Sequence, residues 1–500
     1  MTTGISFGTD GWRGILARDF TFDNVALVAR AVADYIRTHG LAERGVVVGY
    51  DNRFLSDQLA ENVAGVFTAR GIPVYLTARA TPTPVTAFAI KEHRAGGAVM
   101  LTASHNPPEY NGFKFIPEYA GPALPHITRE IEENIRRLQE AEKTAGEGGA
   151  ISWGDFAREE AVEWPAGEWT AGPAPGERTP VARREIIDPR PAYFNHVQTL
   201  VDLGAIGRAG LKVMVDPMYG AGIGYLEDLL GAHGVRVEVI HNRRDPLFGG
   251  GLPEPTGKSL GELRSLVLER QAHLGLALDG DADRFGIIDR DGSYIPPNQF
   301  LPLLYYHLLT AREQRGPVAR TVATTHLLDR LARAFEQEVY EMPVGFKYIG
   351  QHMLEKNCLL GGEESGGLSV RGHIPEKDGI LAGLLAAEMV AVHGKGLGDL
   401  LEDIWSRFGR LYSERLDMHT SATGKERVLG LLKELNPPVL GGLQVERRIA
   451  VDGIKLVLEN GSWVLVRASG TEPLFRIYVE ANSEEELHRL QQAMREMLGL

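Results

Sequence analysis

The sequence predicts an α/β protein of three similar domains with mainly parallel, mixed sheets, followed by a smaller α+β domain. Three observations lead there. Apolar runs ending in glycine, serine or acidic residues recur: GVVVGYD (45–51), GGAVMLTAS (96–104), LKVMVDP (211–217), LGLALDGD (274–281), TVATTH (321–326) and CLLGGEES (358–365). Helix-like sequence separates them, which is the pattern of buried strands in parallel sheets covered on both faces. At 500 residues the chain also exceeds the roughly 250–300 residues that one core accommodates. Finally, RRIAVDGIKLVLENGSWVLVRAS alternates around an Asn-Gly turn, a hairpin signal, and a helix opens after it at Ser483 with the capping pattern SEEE.

In chain order, the first α/β domain is expected over 1–140, the second over 191–294, the third over 295–408 and the α+β domain over 409–500. Residues 141–190, rich in glycine, proline, glutamate and tryptophan, read as a connector with a decorating excursion whose tryptophans pack on a domain. The start, MTTGISFGTDGWRG, has neither a basic region nor an apolar core, so no signal peptide is expected. GILAGLLAAEMVAV, from 379, is too short for a membrane span and carries Glu388. A single cysteine, Cys358, excludes an intramolecular disulfide and reads as a buried thiol. A cytoplasmic protein without a membrane partner is expected, monomeric or dimeric. Its net charge of −13 argues against nucleic acid as a partner, because phosphate backbones are held by basic surfaces.

The polar ends of the apolar runs are where chemistry is expected, since ligands collect beyond the carboxyl ends of parallel strands. In DGDADR (279–284), Asp279, Asp281 and Asp283 are spaced by two, so an extended or loop backbone turns all three carboxylates toward one point. An EF-hand loop would need glycine at its sixth position and glutamate at its twelfth, where Arg284 and Arg290 stand. A hard divalent ion of the magnesium type and a solvated acidic turn are the two readings left. RASGTEPLFRIY (467–478) gathers guanidinium forks, hydroxyls and a glycine N–H, the groups a phosphate needs, or else forms a polar hairpin end. GGEESGG (361–367) offers carboxylates and a serine to sugar hydroxyls, or is an acidic surface turn. In LTASHNPPEYNGFKF (101–115), Ser104 is not in the G-x-S-x-G setting of a hydrolase elbow. Adjacent residues in extended chain point to opposite sides, which makes a direct relay from Ser104 to His105 awkward. Lys114, between Phe113 and Phe115, is either a surface residue or a cation for a transferring phosphoryl group.

In the order TASHNP, DGDADR, GEES and RASGTEP, with FGTDGWRG near the start, these motifs resemble the α-D-phosphohexomutase family over nearly the whole chain. Only 141–190 has no counterpart. The resemblance implies a heart-shaped, four-domain isomerase acting on a hexose phosphate by intramolecular phosphoryl transfer. Ser104 would carry the phosphoryl group, and Asp279, Asp281 and Asp283 would hold Mg2+, with an oxygen on Ser104 completing the site. His105 and Lys114 would stand beside the phosphoserine, and Glu363 and Ser365 would take the sugar hydroxyls. Arg467, Ser469, Gly470, Thr471 and Arg476 would hold the phosphate that is not reacting, while Arg13, Arg284 and Lys377 would face the cleft. Glucose 1,6-bisphosphate would be the intermediate and activator, and closure of the C-terminal domain would keep water out.

Members acting on mannose or glucosamine phosphates often end the sugar loop in histidine, where this chain has Gly367. GEESGG, and VGFKYIG with Lys347, resemble the phosphoglucomutase side of the family, so exchange of glucose 1-phosphate and glucose 6-phosphate is expected. Without that histidine, His326 or Lys114 is left to accept the sugar proton. Phosphomannomutase or dual specificity is the alternative. A magnesium-dependent sugar phosphatase and a non-catalytic sugar-phosphate sensor are the other classes. The two-ended clamp speaks against the phosphatase, and the intact serine and aspartates speak against the sensor.

Overall fold

The structure, a computed structural model, describes residues 4–8, 10–145, 182–468 and 474–499. Its first sheet contains β1 (Trp12–Ile15), β2 (Val46–Tyr50), β3 (Val74–Thr77), β4 (Gly97–Leu101), β5 (Tyr110–Pro117) and β6 (Arg184–Ile187) in the order β1-β5-β4-β2-β3-β6. The second contains β7 (Lys212–Asp216), β8 (Arg236–Val239), β9 (Leu274–Leu278) and β10 (Phe285–Asp289) in the order β10-β9-β7-β8. The third contains β11 (Val318–Thr321), β12 (Val339–Met342), β13 (Leu360–Gly362) and β14 (Leu368–Val370), running β14-β13-β11-β12.

One unit is therefore built three times. Leaving β1 and β6 aside, each sheet has three parallel strands and a fourth, antiparallel one, arranged fourth-third-first-second. The turn from third to fourth strand carries Ser104 in the first domain, the aspartates of DGDADR in the second and GEES in the third. The parallel strands are buried on both faces, as the valines of β2 and the leucines of β9 illustrate, because helices cover each side.

The fourth domain is a six-stranded antiparallel sheet. It contains β15 (Tyr412–His419), β16 (Val439–Leu440), β17 (Leu443–Ile449), β18 (Ile454–Leu458), β19 (Trp463–Ala468) and β20 (Leu474–Ala481), in the order β15-β20-β19-β18-β17-β16. The expected hairpin is β18–β19, and the expected helix is Glu484–Leu498, whose amide at Glu486 is accepted by the Ser483 hydroxyl.

The structure departs from the sequence reading in two elements. Residues 184–187, within the expected connector, form β6 and pair in parallel with β3; the helix Pro125–Ala145 also runs into that stretch. β6 lies at a sheet edge with Arg184 and Ile186 outward, so it lacks the apolar run that reveals the inner strands. The tryptophans of the same stretch lie outside the described residues. TVATTH is mostly not strand, since β11 ends at Thr321. The hydroxyl of Thr321 pairs with that of Thr324 at 2.9 Å and accepts from the Ala323 amide at 3.2 Å, turning the chain where a strand would continue.

The second and third domains share one hydrophobic core around the helix Gly379–His393, buried over most of its circumference. Among the described residues no single helix is long and apolar enough to cross a membrane. Glu388, the charge inside this helix, is buried and satisfied: it accepts from His307 Nε2 at 3.0 Å, Arg312 Nε at 2.7 Å and the Asp202 amide at 2.9 Å. Glu388→Ala strands Arg312 and the Asp202 amide and is expected to destabilise the fold by about 3 kcal/mol, read as a lower midpoint in urea unfolding.

Candidate active site

The serine turn is held from within. The Ser104 amide donates to Thr102 Oγ1 at 2.9 Å, and that hydroxyl donates to Asp51 Oδ2 at 2.7 Å. Arg53, fully buried, donates to the carbonyls of Ser104 (2.6 Å), Asn106 (2.7 Å), Pro107 (2.8 Å) and Tyr110 (3.0 Å), with Asp51 as its counterion at 3.1 Å. Four carbonyls converging on one guanidinium fix the turn with Ser104 in the left-handed region, at φ 51°. That backbone corrects the expectation about His105. The chain is not extended at Ser104, so the two neighbours face each other, with His105 Nδ1 3.3 Å from Ser104 Oγ. Burial, then the charges of Arg284 and Arg13, hold the His105 imidazole well below its usual pKa, so it is neutral at neutral pH.

Ser104 Oγ donates to Asp279 Oδ2 at 2.8 Å, joining the first-domain turn to the second-domain turn. Asp279, Asp281 and Asp283 are all fully buried, and one oxygen from each lies within 4.8 Å of the others. Burial and the charges of Asp281 and Asp283 push the Asp279 carboxyl well above its ordinary value. Asp281 goes the other way: burial opposes its ionisation, but Lys114 Nζ at 2.8 Å and the Thr83 hydroxyl at 2.6 Å hold it low. Lys114 also reaches Asp283 at 3.0 Å and Asp10 at 2.9 Å, and these anions overcome its burial to keep it protonated. Lys377 bridges Asp283 at 2.8 Å and Asp10 at 3.1 Å and is protonated for the same reason.

Two carboxylate oxygens in this set, Asp281 Oδ1 and Asp283 Oδ1, are buried and have no hydrogen-bond partner among the described residues. Buried anions without partners are costly, and a small cluster of hard oxygen donors suits a divalent cation such as magnesium. The donor set therefore fits a metal ion.

Around this centre, Arg284 donates its amide to Asp279 Oδ1 at 3.0 Å and sets its guanidinium 3.9 Å from Asp283, and Arg13 donates to the side chain of Asn106 in the serine turn. The third-domain turn closes on itself through Ser365 Oγ, which donates to Glu363 Oε1 at 2.7 Å; Glu364 instead accepts from Thr321 at 2.8 Å. A Cβ at Gly367 would lie 2.6 Å from the Lys377 methylenes, so the glycine there is required by close approach. Lys347 is the second residue of the helix Phe346–Lys356, its ammonium 5.5 Å from the centre of the Tyr348 ring. Arg467 and Arg476 face each other across β19 and β20. Ser469, Gly470 and Thr471, between them in the chain, lie outside the described residues.

His326 is placed elsewhere. Its Nε2 is 2.8 Å from Lys455 Nζ, and its ring lies against Trp463 in a buried joint between the third and fourth domains. Lys114 is paired with Asp10, Asp281 and Asp283, and these anions favour its protonated form over that of a proton acceptor. Sequence reasoning missed Asp10, Thr83, Asp51 and Arg53. Asp10 had a signal in FGTDGWRG, next to Arg13, and Arg53 had one in YDNRF, where charges directly follow an apolar run. Arg53→Gln removes most of the donors that hold the serine turn. It should lower the thermal midpoint and reduce turnover by at least about tenfold, read by differential scanning fluorimetry and by an activity assay.

Four family models match the chain in order: phosphoglucomutase/phosphomannomutase alpha/beta/alpha domain I over 4–142, domain II over 191–292, domain III over 296–408 and the C-terminal domain over 432–497. A phosphoglucomutase of Komagataeibacter xylinus is 28% identical, covering 96% of this chain and 88% of its own. A phosphoglucomutase/phosphomannomutase of Thermococcus kodakarensis is 30% identical, covering 96% and 95%. A phosphoglucosamine/phosphogalactosamine mutase of Sulfurisphaera tokodaii is 28% identical over 97% of both chains. Among solved structures, one from Thermus thermophilus, provisionally named a phosphomannomutase, is 33% identical with a TM-score of 0.80 over 100% of both chains. Parafusin from Paramecium, at 22% identity, TM-score 0.81 and 99% and 95% coverage, shares the fold. With a matching model for each of its four domains and relatives aligned from end to end, the chain belongs to the α-D-phosphohexomutase family of isomerases.

Proposed function

We propose that the chain interconverts glucose 1-phosphate and glucose 6-phosphate, with Ser104 as the phosphoryl carrier and glucose 1,6-bisphosphate as the intermediate. The observation that carries this reading is the position of Ser104 Oγ: buried, donating to Asp279, beside a neutral His105, at the edge of three carboxylates and two lysines. Phosphoryl transfer depends on positioning and charge neutralisation, and this set supplies both.

In the forward half-reaction the bond from phosphorus to Ser104 Oγ breaks as a bond forms from phosphorus to a sugar hydroxyl oxygen. That hydroxyl gives up its proton to a neutral base, and His105 is the candidate nearest the serine. The bisphosphate then turns over, and its other phosphoryl group returns to Ser104 by the reverse step. Lys114 and Lys377, both protonated, stabilise charge on the moving group. Asp279, Asp281 and Asp283, with an oxygen on Ser104, would hold Mg2+, which supplies further neutralisation of the phosphoryl oxygens. Glu363 and Ser365 take the sugar hydroxyls, with Arg13, Arg284 and Lys347 lining the cleft. Arg467 and Arg476, with the loop containing Ser469, Gly470 and Thr471, hold the phosphate that is not reacting.

Glucose is favoured over mannose by the sugar loop GEESGG, whose Gly367 packs against Lys377 and leaves no room for a histidine. Dual specificity is the second reading, supported by the relative named phosphoglucomutase/phosphomannomutase. Sugars differing at one hydroxyl are separated strongly only where a buried polar contact is lost.

Phosphate on Ser104 is expected by peptide mass spectrometry, and Ser104→Ala should lack both that phosphate and mutase turnover; full activity in the variant would falsify the carrier role. Asp281→Asn, and separately a chelator, should lower turnover by about a hundredfold or more, with Mg2+ restoring only the chelated wild type. kcat/KM is expected to be highest with glucose 1-phosphate, and higher values with mannose or glucosamine 1-phosphate would overturn the substrate choice.

A further inference from the structure

The turn between β17 and β18 contains Asp452 and Gly453. Gly453 adopts φ 85°, and a Cβ there would lie 2.2 Å from the Val466 carbonyl and 2.9 Å from Arg467 Cγ. Only glycine lets this turn lie flat on the end of β19. The consequence is that Asp452 stands beside Arg467, its Oδ2 2.8 Å from Arg467 Nη2. The same oxygen accepts the Val344 amide of the third domain at 3.0 Å, three residues before Lys347.

Arg467 is largely buried, with its side chain 15% exposed, and its Nε is a buried donor with no hydrogen-bond partner among the described residues. Native structures seldom leave such a group without a reason. A guanidinium anchored at one nitrogen, with a second donor unused, is suited to an oxygen that a ligand brings. Its cross-strand neighbour is Arg476.

We propose that Asp452 is a positioning residue for the phosphate clamp: it anchors Arg467 by one nitrogen and ties it to the third domain, so that the clamp is aligned when the fourth domain sits on the turn at Val344. This rests on the reading of Arg467 as a phosphate ligand. One carboxylate oxygen shared by an arginine of one domain and a backbone amide of another couples clamp geometry to domain position. Asp452 touches no substrate in this account and acts through Arg467.

Steady-state kinetics on the full chain, with glucose 1-phosphate as the probe, test it. Asp452→Asn keeps an acceptor for the Val344 amide and loses the ion pair. It should raise KM about tenfold with kcat within about threefold, and leave the Ser104 phosphate and the thermal midpoint as in the wild type. Asp452→Ser, a second variant with a short acceptor, should do the same. Arg467→Gln should raise KM at least as much, and adding Asp452→Asn to it should change KM by less than about twofold, because the aspartate works through the arginine. If Arg467→Gln raises KM while both Asp452 variants leave it unchanged, or if the effects multiply, the positioning role is wrong and the clamp stands. If Arg467→Gln leaves KM unchanged, the clamp reading falls and the role of Asp452 falls with it.

Discussion

Three carboxylates with no solvent exposure, an oxygen from each within 4.8 Å of the others, form the constraint around which the molecule is arranged. At such distances and in a poor dielectric their mutual repulsion is severe, and burial removes the water that would screen it. The surroundings answer with cations and donors brought from other domains. Lys114 comes from β5 and Thr83 from the helix Thr83–His93, both in the first domain, and Lys377 comes from the third. Asp10 then balances the two ammonium groups from the opposite side. Docking of the first and third domains onto the acidic turn of the second is thus an electrostatic requirement as much as an apolar one, although the core around Gly379–His393 holds the second and third domains together.

Repetition of one unit explains why the polar turns meet. Each follows the third strand of the same four-stranded arrangement, so each domain presents its equivalent edge to a common cleft. What differs is the side chains: a hydroxyl in the first, carboxylates in the second, and a carboxylate with a hydroxyl in the third. A single backbone solution has been given three chemistries, as expected when function is placed on loops and the sheets supply rigidity.

Much of this was legible in the sequence, for physical reasons. Buried parallel strands must be apolar throughout, so β2, β4, β7, β9 and β13 stand out, and the polar residue ending each run marks a turn. β6 was hidden because half of an edge strand faces water, and the strand reading of TVATTH failed because threonine hydroxyls compete for the backbone. In the site, the aspartate spacing announced a convergence of charge. YDNRF marked Arg53 as a charge at a strand end but not as the clamp of the serine turn, since its partners are mostly carbonyl oxygens, present at every residue and silent in a one-letter code. The left-handed conformation of Ser104 was equally invisible, and with it the approach of His105, because it is imposed by contacts from outside the turn.

The hydrogen bond from Ser104 to Asp279 spans 175 residues, and the one from Lys377 to Asp10 spans 367. Contacts of that separation form late, because loop closure must precede any reward from them, and domains made in sequence fold in sequence. As the ribosome extends the chain, the first domain emerges with its serine but without the aspartates, and then with the aspartates but without Lys377. The ring of charges around the acidic turn is therefore complete only when about three-quarters of the polypeptide has been made, and a half-built chain lacks the last of its cations.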